Sequence, residues 1–180
     1  MIIVVMGVCG CGKTTIGRLL ASSLGAAFLE GDELHPAGNR NKMAAGIALN
    51  DEDREPWLDA IAAAAVELSS RASCVVVTCS ALKRKYRDRL RSADNNMILV
   101  HLTGSKSLLR NRMRERRGHF MPADLLDSQL TTLQNPESDE VAISLDISEQ
   151  PAGIVERAMA FVEFHSSSKA KMQKEKINEH

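Results

Sequence analysis

Apolar residues fall along the chain in two kinds of run. Short, nearly unbroken runs recur at Ile2-Ile3-Val4-Val5-Met6, Ala27-Phe28-Leu29, Cys74-Val75-Val76-Val77-Thr78-Cys79, Met97 to Leu102 and Val141 to Ile147. Runs rich in β-branched residues and lacking alternation are the mark of strands buried on both faces. Between them, apolar residues return at helical spacing. Ile16, Leu19, Leu20, Ser23 and Leu24 form one such stripe over 13–24, and Gly25 supplies its stop. Trp57, Ile61, Ala64, Ala65 and Leu68 form another, in a helix that runs to about Ser70. Asn50 or Asp51 is its expected N-cap, with acidic residues and Pro56 in the first turn.

Four further helices complete the pattern before the last strand. They are a short one carrying Asn39, Lys42 and Met43, a basic one with Tyr86 and Leu90, one over 105–116, and one over Leu125 to Leu133. A last helix is expected over 151–164. Strands alternating with helices predict an α/β fold of three layers, α/β/α, around a five-stranded parallel sheet. Its crossovers are expected to be right-handed. Residues 1–165 are expected to form one domain. Residues 166–180 are polar and nearly core-free, which predicts a frayed or disordered tail, with a helix extension as the alternative.

Composition narrows the class only a little. The 180 residues are 44% apolar and 26% charged, with Lys+Arg and Asp+Glu equal at 23 each. That balance speaks against a general nucleic-acid binder. The run Arg110 to Arg117 has no interleaved aromatics for base stacking. No apolar run has the ~18 residues that a membrane span needs. The chain enters its first strand at once, so no secretory signal is expected, and the four cysteines make no disulfide framework. Both features lead to the expectation of a reduced, cytoplasmic setting.

The first strand runs straight into Gly7-Val8-Cys9-Gly10-Cys11-Gly12-Lys13-Thr14, which is G-x-x-x-x-G-K-T, with Thr15 opening a helix. Strand, glycine loop and helix are the context of a phosphate-binding P-loop. Its backbone N–H groups and the helix N-terminus cradle phosphate oxygens. Lys13 is expected to reach the β- and γ-phosphates, and the Thr14 hydroxyl to hold Mg²⁺. The thiols of Cys9 and Cys11 have two open readings. The electropositive loop would lower their pKa and make them targets for oxidants and alkylating agents. Alternatively, both point inward against the sheet and stay inert.

A nucleotide cradle followed by an acid at the end of the second strand, Asp32, and by an arginine-rich helix points to a small-molecule kinase. Longer blocks carry a resemblance. Phe28-Leu29-Glu30-Gly31-Asp32, Leu34-His35-Pro36, Asn39, Lys42-Met43, Gly46 and Leu49 to Leu58 resemble the gluconokinase family. So do Cys79-Ser80-Ala81-Leu82-Lys83 with Tyr86-Arg87-Asp88, Gly118-His119-Phe120-Met121, and Ser128-Gln129-Leu130 with Thr132-Leu133. The resemblance implies ATP- and Mg²⁺-dependent phosphorylation of D-gluconate to 6-phosphogluconate, which feeds the pentose phosphate pathway. It implies the P-loop kinase fold of shikimate kinases, with strand order 2-3-1-4-5, a mobile lid over about 117–124, and a homodimer. The chain departs from it at Cys9 and Cys11, where serines are usual, and at Glu30, where Asp is usual. Glu30 is the position expected to meet Mg²⁺ through water.

On these grounds Asp32 is the candidate base, with Lys13 and Arg116 assisting transfer. Arg112 is expected to stack near adenine, and Arg116 and Arg117 to contact phosphates. Arg54 is the candidate for the substrate carboxylate, because a guanidinium fork binds carboxylate bidentately. Its alternative is a salt bridge to Asp51 or Asp53. His35, Lys83, Arg87 and His119 complete the expected substrate set. For His35, a hydrogen bond to the substrate and a structural place at the turn before Pro36 stay equally open. Two further functional readings stand beside gluconate phosphorylation. One is another small-molecule kinase of the shikimate-kinase-like group; the other is a non-catalytic nucleotide-binding interaction module.

Overall fold

A computed structural model describes the backbone of residues 1–115 and 123–178, with side chains except at 123–124 and 168–178. Five strands form one parallel sheet, β1 (Ile2–Met6), β2 (Ala27–Glu30), β3 (Val75–Thr78), β4 (Ile98–Thr103) and β5 (Ala142–Asp146). Their order is β2-β3-β1-β4-β5, as the resemblance implies. The central strand pairs Val4 with Val77 on one side and with Leu99 on the other. All five residues of β1 are buried, which explains its unbroken apolar run.

Among the described residues there are seven α-helices: α1 (Lys13–Leu24), α2 (Ala37–Ala44), α3 (Asp51–Ser69), α4 (Arg84–Arg91), α5 (Lys106–Glu115), α6 (Ala123–Thr132) and α7 (Pro151–Asn178). Two cores result, one on each face. Ile3 and Val5 point into a core with residues of α1, α5, α6 and α7. Ile2, Val4 and Met6 point into one with Trp57, Leu58 and Ile61 of α3 and Tyr86 and Leu90 of α4.

The helices match their expected places, with differences of face and length. The buried stripe of α1 is Ile16, Gly17, Leu20 and Ala21, while Leu19 is 43% exposed. In α3 the stripe includes Leu58, and Ala64 is only half-buried. Asn50 is the cap of α3, in a reciprocal box with Asp53: its side chain accepts from Asp53 N at 2.8 Å, and Asp53 accepts from Asn50 N at 3.1 Å. Pro56 falls in the second turn of α3, not the first. It leaves the carbonyl of exposed Glu52 to solvent, which tolerates the missing donor. Helix α7 runs on to Asn178, well past the expected end near 164.

Candidate active site

The glycine loop joins β1 to α1 at the C-terminal edge of the sheet, where α/β folds place ligands. Gly10 has φ +80°, and a Cβ there would lie 2.9 Å from Met113 Cγ and 3.1 Å from the Leu109 carbonyl oxygen. Only glycine allows α5 to pack this close to the loop tip. No side chain caps the start of α1, so its N-terminal N–H groups remain for an anion. Lys13 Nζ donates to the Val8 carbonyl at 3.2 Å. A cavity of about 550 Å³ opens over the loop, bounded by Gly10, Gly12, Lys13, Thr14, Thr15, Arg18, Glu30, Asp32 and Arg112.

Both loop thiols are buried, although Cys9 and the neighbouring Met113 also border the cavity. Cys11 is fully buried and Cys9 is 9% exposed, with its Sγ 3.5 Å from Met113 Sδ. Burial raises the pKa of both, that of Cys9 to about 11. A thiol shifted in that direction is the reverse of an activated cysteine. Iodoacetamide should therefore label neither residue in the folded chain while labelling both in denaturant. Mass spectrometry checks this, and rapid native labelling of Cys9 that ATP suppresses would overturn it.

The acids stand across the cavity at the end of β2. A Cβ on Gly31 would fall 2.1 Å from the Thr78 carbonyl oxygen, so glycine is what lets the chain hug β3 and turn. The turn is a short 3₁₀ helix, Gly31–Leu34, which carries Asp32 exposed to the cavity. The Thr78 hydroxyl accepts from Gly31 N at 3.3 Å and donates to Glu30 Oε1. Glu30 Oε2 is buried and has no hydrogen-bond partner among the described residues. An orphaned carboxylate oxygen beside Thr14 and the phosphate cradle fits a hydrated divalent cation. Among the described residues no group of three or more His, Cys, Asp and Glu could hold a metal by itself.

His35 is 4% exposed and stacks on Trp57 with ring centroids 4.0 Å apart. Its Nδ1 lies 3.4 Å from Asn39 Nδ2. Burial pushes its pKa down to about 4, so it is neutral near pH 7. It belongs to the wall behind Asp32 and lines neither cavity described here. Trp57 fixes that wall by donating from Nε1 to the Gly31 carbonyl at 2.7 Å.

A second cavity of about 190 Å³ lies between the start of α3, the loop after β3 and α6. Arg54, Lys83, Tyr86, Asn50, Ser128, Gln129 and Thr132 are among its lining residues. The carboxylates proposed as alternatives for Arg54 are taken by other cations. Asp51 binds Lys83 at 2.6 Å, Lys85 at 2.7 Å and the Tyr86 hydroxyl. Asp53 binds Lys42 at 2.6 Å. Arg54 is 8% exposed, sits 5.7 Å from the Tyr86 ring centroid, and forms no ion pair among the described residues. The guanidinium borders a cavity that Asp51 also lines.

Arg87 corrects the sequence reading. It was expected at the substrate, but it is fully buried and lines neither cavity. Its Nε and Nη2 hold Glu140 at 2.8 and 2.7 Å, and its remaining donors reach the carbonyls of Ala81, Gln134 and Asn135. All five N–H groups are spent on the frame. That frame shapes the loop after β3. Ala81 adopts φ +44°, its carbonyl accepts from Arg87, and the Ser80 carbonyl accepts from Gly7 N at 3.3 Å.

Arg112 lies beside the cradle and donates to the Ile147 carbonyl at 2.8 Å, while Arg110 pairs with Asp127 at 3.0 Å. The arginines of α5 thus divide between tasks, as their helical spacing requires. Arg116, Arg117, His119 and the lid expected over 117–124 fall outside the described residues, except that the backbone of 123–124 begins α6. Two contributors had no role assigned from the sequence: Thr78, which orients Glu30, and Gln129, whose Oε1 accepts from the loop's Cys9 N–H at 2.7 Å.

Comparison with known proteins agrees with this geometry. The shikimate kinase family model matches residues 9–163. The gluconokinase of Gluconobacter oxydans is 46% identical over 154 residues, covering 86% of each chain. The thermoresistant gluconokinase of Escherichia coli is 42% identical, over 86% of this chain and 89% of its own. The crystal structure of a gluconokinase from Sinorhizobium meliloti superposes with a TM-score of 0.82 at 45% identity, over 94% of this chain and 95% of that one. With a P-loop cradle, an acid at the end of β2 and, in a second cavity, an arginine that forms no ion pair among the described residues, the chain belongs to the gluconokinase family, on the shikimate-kinase form of the P-loop fold.

Proposed function

We propose that the protein transfers the γ-phosphoryl group of ATP to the terminal hydroxyl of D-gluconate, giving 6-phosphogluconate. The observation that carries the acceptor is Arg54, buried beside a second cavity and without an ion-pair partner among the described residues. The loop N–H groups and Lys13 take the phosphates, with Lys13 leaving the Val8 carbonyl to do so. Arg54 fixes the sugar acid by its carboxylate, with Lys83 and the α6 side chains around it. Asp32 accepts the proton of the attacking hydroxyl. Arg112 flanks the nucleotide, Arg116 and Arg117 contact its phosphates, and His119 belongs to the substrate set. Thr14 and Glu30 would hold Mg²⁺, whose charge offsets that developing on the phosphoryl oxygens.

The same reading includes a homodimer and a cytoplasmic setting. Among the described residues no helix is long and apolar enough to cross a membrane. A panel of sugar acids with ATP and Mg²⁺ tests the reaction. D-gluconate should turn over, other aldonates should be much slower, and shikimate should be inert. Equal rates on shikimate, or none on gluconate, would overturn it.

A further inference from the structure

Asp32 follows Gly31 in the 3₁₀ turn after β2. The bond that ends this turn, from His35 N to the Asp32 carbonyl, is 3.4 Å long, as the poorer geometry of 3₁₀ segments allows. Glycine adds the loosest backbone of any residue. The Asp32 carboxylate makes no hydrogen bond among the described residues, so its place depends on the backbone that carries it. That backbone is gripped from outside. Gly31 N donates to the Thr78 hydroxyl at 3.3 Å, and the Gly31 carbonyl accepts from Trp57 Nε1 at 2.7 Å. This carbonyl belongs to the planar peptide unit that ends at the Asp32 Cα. Holding its oxygen therefore holds the rotation of the unit on which Asp32 stands. The indole is itself fixed: Trp57 is 1% exposed and stacks on His35 at 4.0 Å, with 13° between the rings.

Trp57 lies three residues after Arg54 in α3, on the same face of the helix. One turn of α3 thus reaches the Asp32 turn through Trp57 and borders the smaller cavity through Arg54. We propose that Trp57 is a positioning residue for phosphoryl transfer: its indole N–H, held by the stack on His35, fixes the Gly31–Asp32 peptide and so aims the Asp32 carboxylate at the acceptor hydroxyl. The bond is buried, where a hydrogen bond is stronger than in water. This deepens the proposed function and rests on Asp32 being the base. Displacing a reacting group by about 1 Å costs on the order of 10²-fold in rate. Loss of the N–H should therefore lower kcat by about 10–10²-fold. Ground-state binding of either substrate should stay within about threefold.

The chain has one tryptophan, so growing a tryptophan auxotroph on an analogue alters this position alone. Benzothienylalanine puts sulfur in place of the N–H and keeps the shape of the ring. Fluorotryptophan keeps the N–H and serves as the rescue. The benzothienyl protein should show the lowered kcat on D-gluconate with both KM values within about threefold, and the fluoro protein should stay within about threefold of wild type throughout. Trp57→Phe, which also lacks the donor and leaves a ring beside His35, should show the same split. The decisive arm is the Asp32→Asn background. With no base left to aim, the same replacements should lower the residual kcat by less than about threefold. A residue that only stabilises the fold would lower the unfolding midpoint and leave the kcat of the folded protein unmoved. An unmoved kcat, a loss confined to KM, an equal loss in the fluoro protein, or a full loss repeated in Asp32→Asn overturns the inference. Any of these, where gluconate is turned over and Asp32→Asn alone is crippled, overturns this inference alone. Absence of gluconate turnover in the unsubstituted protein overturns the proposed function together with it.

Discussion

Asp32→Asn should lower kcat on D-gluconate by about 10²–10⁴-fold, the usual range for loss of a general base. The substitution keeps the shape of the side chain and removes its capacity to accept a proton. Asp32 is exposed in the cavity at the turn after β2, and none of the hydrogen bonds that hold that turn depends on its side chain. Folding should be untouched, and an ATP analogue should bind within about threefold of wild type, since the loss is confined to the transition state. Steady-state kinetics and direct titration of the analogue read the two quantities separately. A fall in kcat of under about threefold would mean that the base is elsewhere.

Glu140→Ala should destabilise the protein by about 3–5 kcal/mol, because it leaves the Arg87 guanidinium buried without its counter-ion. For a chain of this size that lowers the melting temperature by about 2–4 °C per kcal/mol. Neither Arg87 nor the Glu140 carboxylate has solvent access. Burial opposes the charge on Glu140, but Arg87, the Glu137 N–H and Arg91 together hold its pKa down to about 2 from an ordinary 4.5. A folded-state pKa below the unfolded one stabilises the native state above the unfolded value. The contribution is therefore complete above about pH 4.5 and fades as the pH falls toward 2. Denaturant midpoints at pH 7 and pH 3 should show the wild type losing part of its advantage over Glu140→Ala. An Arg87→Met/Glu140→Leu pair, which removes both charges, should lose much less than the single variant. If Arg87 instead served the substrate, Arg87→Ala would raise KM for gluconate and leave the midpoint in place.

The sequence alone determined the sheet, the order of elements and the phosphate cradle. Each of these rests on residues close together in the chain. The buried strands are unbroken apolar runs, the glycine loop is one contiguous motif between a strand and a helix, and the Asn50 cap lies three residues from its partner. Long motif blocks also singled out Asp32 and Arg54, which line the two cavities.

What only the tertiary structure decided is how like residues divide their roles. Arg54 and Arg87 look alike in the sequence, yet among the described residues one forms no ion pair and the other is consumed by Glu140, 53 positions away. The electropositive loop argued for reactive thiols. The chain instead buries Cys9 and Cys11, and burial outweighs the attraction of Lys13. Helical spacing put Leu19 in the core, but the sheet meets α1 one step around, along Gly17 and Ala21. Gln129 reaches Cys9 across 120 residues. Spacing carries information about a residue's own helix or strand. The energy that fixes a buried charge, a thiol or an amide comes from groups that only the folded sheet and its helices bring within a few ångströms.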